Sequence, residues 1–526
     1  MKVKKRILKI SLIVLISIMA LFILLPIIFK SYIKKNLVEI YNRSQSDYVL
    51  EVGEINLTGF NSGMLLTDVK LVNSDTASDS PLTSLKAESI SIEDVSVFKL
   101  IFKKNLQAGT LEINSPYLTM TRVKEKKTGE QVKKPEAKNS VNISEIKITD
   151  PHFAYFTNRT DTLPLFKSDK GLITIREFSV DTIKDSKAFS AYDIDARLQG
   201  IKYLTKDSLY TIQVSMLQVS FAKRSLQIDS FQVIPSYSKK EFGHRAGKQT
   251  DRLSLIIPLI TSSTFDAKSF VERQMVIADS MEIKSFALNA YRDKNIHEIV
   301  EYPLPLQERI KSIDIPVSVK HLNVLDGDVL YEELNGGSIT AGHISFNHIV
   351  SQIKNISNFN PEDTLTVNAK AFFGNKASLE VKLEFPMEEN DNSFLCNGEL
   401  NSFPASTLNT MLPYVAGVKA DDGYINYVKF NFHATKKSST GTVAMNYNNL
   451  KVAVVDIVDG KTQNTGKKIV SLLANAFIVK SDVPTKKDNR TSARISYKRD
   501  PERFIFNYSW KSIFNGVKKV VTGKDD

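Results

Sequence analysis

A ten-residue pattern recurs along this 526-residue chain and restricts what it can fold into. It reads apolar, any, apolar, any, any, then proline, glycine or phenylalanine, then any, apolar, any, apolar. Leu111, Ile113, Pro116, Leu118 and Met120 fit it, as do Ile146, Ile148, Pro151, Phe153 and Tyr155. Met281, Ile283, Phe286, Leu288 and Ala290 repeat it, then Leu322, Val324, Gly327, Val329 and Tyr331. Leu226, Ile228, Phe231 and Val233 make a partial fifth copy. Alternation at period two is the mark of a strand with one dry face and one wet face. A step of three would swap the faces, because a one-residue shift sends every side chain to the other side. A bend or bulge at the proline or glycine corner restores the apolar side chains to the same side. The expected course is strand, corner, strand around one continuous dry surface. Unequal spacing of the copies argues against a strict solenoid.

The same alternation dominates the chain beyond residue 48. Leu365/Val367/Ala369/Ala371, Ala377/Leu379/Val381/Leu383/Phe385 and Phe504/Phe506/Tyr508 are further examples. The fold class predicted is mainly β. Helical spacing predicts three later segments, near 403–415, 467–476 and 509–521. The first has Ser402 as N-cap and Leu408, Met411, Leu412 and Val415 as its stripe, with Pro413 kinking or ending it. The second carries Ile469, Leu472 and Leu473. The third carries Trp510, Ile513, Phe514, Val517, Val520 and Val521, with Lys511, Lys518 and Lys519 on its polar face. Such a helix either packs on a sheet or lies on a membrane surface.

The N-terminus sets the expected compartment. Ile10 to Phe29 is an uncharged run of 20 residues, about 30 Å as a helix, one hydrocarbon core. Lys2, Lys4, Lys5, Arg6 and Lys9 precede it and favour a cytoplasmic tip. The run is longer than a signal-peptide core and lacks a small-residue cleavage site, which predicts an uncleaved anchor. Residues 1–30 are thus a tip and transmembrane span, with the bulk of the chain outside the cytoplasm, the periplasm in a bacterium with two membranes. Ile33, Leu37, Ile40 and Tyr41 extend an amphipathic helix over 31–47. A repetitive β region follows over 48–364, with polar insertions at 121–140 and 239–252 read as exposed excursions, and a C-terminal β module over 365–526. Asp422-Gly423, Asp459-Gly460, Asn335-Gly336 and Asn397-Gly398 predict tight turns.

Signals for chemistry are few. The single cysteine, Cys396, excludes an intramolecular disulfide, a CxxC pair and a multi-cysteine zinc site. The seven histidines form no HExxH, and His343 and His348 are five apart, on opposite faces of a straight strand. No GxSxG elbow or GxGxxG loop occurs. Asp326 and Asp328 flank Gly327 as turn formers rather than a carboxylate dyad. No catalytic, metal or cofactor-binding residue is assigned, and a non-enzymatic protein is expected. The formal charge of +12 comes from 70 Lys and Arg against 58 Asp and Glu spread along the chain. That suits anionic membranes, and no nucleic-acid motif accompanies it.

The anchor, the short amphipathic helix and the stretch YVLEVGEINLTGFNSGMLLTDVKLV resemble the opening of AsmA-like envelope proteins. VFKLIFKKNLQAGTLEINSPYLTM resembles their next unit, and FLCNGELNSFPASTLNTMLPYVAGVKADDGYINYVKFNFHAT followed by GTVAMNYNNLKVAV resembles their C-terminal module. The resemblance covers the first ~120 residues and about residues 365–520 well, and the middle loosely. It implies an elongated, curved antiparallel sheet, a β-groove, with an apolar inner face that moves phospholipid toward the outer membrane. Leu111, Ile113, Leu118, Ile146, Ile148, Phe153, Ile283, Leu288, Leu322 and Val324 are the expected groove residues. Physics agrees, since a sheet dry on one side must cover that side with helix, a second sheet or lipid. About 25 strands at ~4.8 Å spacing reach at most ~120 Å, so an envelope partner bridging to the outer membrane is expected. The alternative is a non-catalytic periplasmic scaffold with a closed β core.

Overall fold

The computed structural model describes residue 32, residues 35–43 and residues 48–523. Residues 59–62, 74–81, 97–98, 100–104, 122–139, 159, 182–187, 300–301, 337, 361–363, 389–391, 456–478 and 486–488 are excepted. The transmembrane span expected at 10–29 and the helix expected near 467–476 lie outside the described residues. Among the described residues no helix is long and apolar enough to cross a membrane. Residues 35–43 are helical, inside the expected 31–47. The remainder is mainly β. It divides into two compact units, Met1–Leu204 with Val214–Ala222, and Thr205–Gln213 with Lys223–Asp526. The strands on either side of the expected boundary at 364–365 pair with each other.

In the first unit, β1 (Tyr48–Glu51) and β2 (Glu54–Thr58) pair antiparallel with β3 (Gly63–Asn73), and β3 pairs with β4 (Leu82–Glu93). One half of β4 pairs with β5 (Asn105–Asn114) and the other with β6 (Tyr117–Thr121). The next arch, β7 (Ser140–Thr149) and β8 (His152–Phe156), runs parallel to β5 and β6. β9 (Phe166–Ser168) and β10 (Lys170–Asp181) pair antiparallel with β8 and β7. β11 (Ala188–Ser190) and β12 (Asp193–Leu204) follow on β10. β13 (Tyr210–Ser220) straddles the division between the units.

The second unit repeats the device. β14 (Ser225–Pro235) pairs with β15 (Asp251–Ser262), and β15 pairs with both β16 (Val276–Ile283) and β17 (Ala287–Asp293). β18 (Val317–Val324) and β19 (Asp328–Leu334) run parallel to that arch, and the single long strand β20 (Gly342–Ser357) pairs antiparallel with both. An antiparallel meander follows through β21 (Thr364–Phe373), β22 (Ala377–Pro386), β23 (Phe394–Leu400), the short β24 (Phe403–Pro404), β25 (Val418–Ala434), β26 (Ser438–Val454) and β27 (Ser492–Lys498).

The sheet is therefore mixed, not purely antiparallel. Two arches stacked in the same direction need a crossover, and a parallel connection takes a dozen or more residues. The stretch between Thr121 and Ser140 and the stretch between Asp293 and Val317 meet that need. The polar insertion expected at 121–140 lies, between Thr121 and Ser140, outside the described residues.

The second insertion, 239–252, is not an exposed loop. It holds helix α1 (Lys239–Ala246), whose first turn is capped by Ser238 and which buries Phe242. Helix α2 (Ala267–Arg273) is capped by Asp266, and α3 (Leu306–Lys311) lies in the second crossover. The helix expected near 403–415 is broken. A 3-10 turn over Ala405–Thr410 stops at Met411, and α4 (Leu412–Ala416) restarts with Pro413 in its first turn. Pro413 thus starts a helix, where its missing N–H costs nothing, and Ser402 caps neither segment. The last helix, α5 (Ile505–Thr522), is longer than expected and takes in Phe506 and Tyr508, read from sequence as strand. Asn397-Gly398 lies inside β23 rather than in a turn, with the Phe430 ring 2.3 Å from where a Gly398 Cβ would sit.

α5 closes the largest core. Tyr508, Ser512, Gly516, Lys519 and Val520 are buried, one stripe at helical spacing. Beneath lie Phe385, Phe394, Phe432, Val443, Tyr447 and Ile495. Ser439 and Ser512, both fully buried, share a hydrogen bond of 2.7 Å, and Ser512 Oγ donates to Tyr508 O at 2.8 Å.

Candidate functional site

Corners and register assemble the apolar residues into rows. In the first unit Leu111 lies beside Ile146 and Ile113 beside Ile148 in the parallel ladder. Leu118 lies beside Phe153, and Met120 beside Tyr155, beyond the corner. Each row runs on through the antiparallel neighbours. Ile92, Leu111, Ile146, Ile175 and Ile194 form one, and Ile90, Ile113, Ile148, Ile173 and Ala196 the next. Past the corner, Leu71, Leu85, Leu118 and Phe153 make a third. The alternate positions carry Ser91, Glu112, Lys147 and Thr174. Glu112 and Lys147 pair there at 3.0 Å, Lys147 exposed and Glu112 half-buried.

The corner works as a left-handed residue followed by proline. Ser115 and Asp150 both have φ of 48°. Side chains there are strained by roughly 1–2 kcal/mol, and the ladder holds them in place. Ser115 N donates to Thr149 O at 2.9 Å, and His152 N donates to Pro116 O at 2.7 Å. Ser230, at the same template position, has φ of 53°, yet the partial copy is one continuous strand that keeps its register with β15 across that residue. A second step of three was not read from the sequence. Asp94 and Glu177 are also left-handed, opposite Gly109 and Ser144, and carry the apolar face on to Ala108, Ile143 and Phe178. Its signal is the spacing Ala108–Leu111 and Ile143–Ile146, without a proline to mark it.

In the second unit Ile283 lies beside Val324 and Met281 beside Leu322, with Leu288 beside Val329 across the corner. The corner is built differently. The Phe286 ring stacks over Gly327, where a Cβ would come within 2.0 Å of the ring. Phenylalanine in one copy therefore requires glycine in the next. Rows extend from Leu288 and Val329 to Phe346 and Phe373, and from Leu322 to Ile353, Val367, Leu383 and Cys396.

The rows differ in cover. Leu111, Ile113, Leu118, Ile148, Phe153, Ile283, Leu288 and Leu322 are half-buried, whereas Ile146 and Val324 are buried. Under α5 the rows are closed. Phe385 and Phe432 are 1% exposed, and burial pushes the Cys396 thiol up to about 12. The isoleucines of the first unit's rows, Ile113, Ile148 and Ile173, thus keep part of their apolar surface exposed.

The apolar rows of the second unit end at charge. Asp251, Arg292 and Glu333 are neighbours across three strands. Arg292 donates to both Asp251 oxygens, at 2.7 and 2.8 Å. Burial disfavours the guanidinium charge, yet these bonds outweigh it and hold its pKa above the usual value. Lys294 pairs with Glu333 at 2.6 Å, and the Tyr331 hydroxyl donates to Glu333 at 2.9 Å. Burial first, then Glu333, raises the Tyr331 pKa. The network is internally satisfied and marks an edge of the apolar face.

Asp328 accepts from Asn347 Nδ2 at 3.0 Å, as a turn residue does, and His348 has φ of 52° on a bulge of β20. Among the described residues no group of three or more His, Cys, Asp or Glu is placed to hold a metal. No protein-family model matches the chain, and no curated protein matches it.

Proposed function

We propose that the apolar face of the sheet carries phospholipid acyl chains, as part of envelope biogenesis at the inner membrane. In this reading residues 10–29 anchor the protein, the bulk of the chain lies in the periplasm, and lipid is held or passed toward the outer membrane along an elongated β-groove. A bridging envelope protein is the expected partner. The single observation that supports it is the first unit's set of parallel apolar rows, half-buried on one face and opposed by Ser91, Glu112, Lys147 and Thr174 on the other.

Acyl chains suit such a face because it offers length without direction. Each CH₂ removed from water contributes roughly 0.8 kcal/mol. A chain of ordinary length therefore gains several kcal/mol with no hydrogen bond. The headgroup stays in water and is recognised weakly. No catalytic step is assigned to any residue.

The experiment is native mass spectrometry of the full chain purified in mild detergent. The reading expects adducts with phospholipid masses, varied in headgroup. A protein that carries detergent alone contradicts it. A second reading, a periplasmic scaffold with a closed core, is favoured by the fully buried cluster under α5.

A further inference from the structure

α5 presents two apolar faces, one buried on the sheet and the other largely exposed. The stripe Tyr508, Ser512, Gly516, Val520 docks on the sheet. Phe506, Trp510 and Phe514, spaced by four, form a second stripe and are 54%, 38% and 40% exposed. Trp510 and Phe514 stack at 6.1 Å and 24°, so the stripe is ordered by its own contacts. Phe506 meets Tyr331 at 6.5 Å and Phe346 at 6.3 Å, so the stripe starts where the second unit's apolar rows meet the helix.

The flank of that stripe is basic. At 100° per residue, Lys511 and Lys518 follow Phe514 around the helix, and both are exposed. The helix contains no aspartate or glutamate. Indole and phenyl rings beside lysines match the bilayer interface, where aromatic rings sit at headgroup depth and ammonium groups meet phosphate. A protein partner of acidic surface would satisfy the lysines but would not need an acid-free helix with its rings in one line.

We propose that α5 docks on the surface of an anionic bilayer through Phe506, Trp510 and Phe514, with Lys511 and Lys518 on the headgroups. This is a second membrane contact, far along the chain from residues 10–29, and it stands whether or not acyl chains ride on the sheet.

Trp510 is the chain's one tryptophan, so its emission reports this stripe alone. The full chain, held in an uncharged, non-fluorescent amphipol, is titrated with vesicles of phosphatidylcholine containing phosphatidylglycerol and brominated acyl chains. Trp510 emission is expected to shift to the blue and to be quenched. The Lys511→Glu/Lys518→Glu variant and Phe514→Ser are each expected to need several-fold more lipid for the same quenching, and pure phosphatidylcholine likewise. These side chains are exposed, and circular dichroism checks that each variant keeps its fold. Insertion through the N-terminal segment alone would make the protein float with vesicles while Trp510 stays unquenched, or quench it equally in every variant. Either result overturns the proposal. So does a blue shift that depends on protein concentration without vesicles, which would assign the stripe to a second copy of the chain.

Discussion

Ile148 shows how one side chain separates folding from carriage. It sits mid-row between Ile113 and Ile173 and is half-buried. Ile148→Leu conserves volume and is expected to leave envelope permeability unchanged in cells. Ile148→Asp places an unpaired carboxylate where acyl chains would lie, which is costly to desolvate. Since Ile148 is only half-buried, the variant is expected to accumulate at wild-type levels and still raise permeability toward that of a deletion. Wild-type permeability with the Asp variant, where deletion itself has an effect, argues against carriage. Gly327 makes a purely structural case. A Cβ there overlaps the Phe286 ring, and overpacking costs about 1–3 kcal/mol. Gly327→Ala is expected to lower unfolding free energy by that amount, and by much less in a Phe286→Ala background. Equal losses in both backgrounds would mean the ring and the glycine are uncoupled. The template placed both residues at one position; it did not indicate that one ring fills the other's space.

At the scale of elements, the arches were legible and their direction was not. Alternation with a step of three identified the paired rows, Leu111 with Ile146 and Met281 with Leu322. Parallel stacking was missed because alternation carries no sign of strand direction. The crossover lengths did carry it, in the stretches after Thr121 and after Asp293. α1 was missed because its apolar content is slight, although Ser238 and Glu241 form a capping box, the Ser238 hydroxyl meeting Glu241 Oε2 at 2.8 Å. α5 was placed late because Phe504, Phe506 and Tyr508 alternate like a strand, while Tyr508 belongs to the helical stripe with Ser512 and Gly516. Gly516 is the close approach that lets α5 seat. Its Cβ would lie 2.8 Å from Val443 Cγ2 and 3.1 Å from Ile495 Cγ1. In an exposed helix Gly→Ala stabilises by about 1 kcal/mol. Here the clash wins, so Gly516→Ala is expected to lower the melting temperature, and Gly516→Ala with Val443→Ala to recover most of it. A rise in melting temperature for the single variant would mean α5 does not pack so closely.

At the scale of the whole molecule, the proposed anchor and the apolar sheet belong to one chain. Lys2, Lys4, Lys5, Arg6 and Lys9 precede the apolar run at 10–29, and in the proposed topology the positive-inside rule places the rest of the chain outside. A reporter fused after Asp526 is expected to be active only in the periplasmic form, and activity of a cytoplasm-specific reporter contradicts that orientation. The apolar residues from Leu111 to Val324 were legible in the sequence as members of rows. Their degree of cover was not, because alternation looks the same on an open face and under a helix. Phe432 is buried beneath α5, while Ile113 in an equivalent pattern stays half-buried. The difference comes from what packs above the sheet, which is a tertiary property. The central claim is that the apolar face meets acyl chains, and photo-crosslinking in living cells tests it most directly. A photoreactive residue placed in turn at Ile113, Leu118 and Ile148, and at the opposing positions Glu112, Thr119 and Lys147, is irradiated and the protein is analysed for covalent phospholipid. The account predicts phospholipid adducts from the first three positions and few or none from the second three; adducts from neither set, or equally from both, would contradict it.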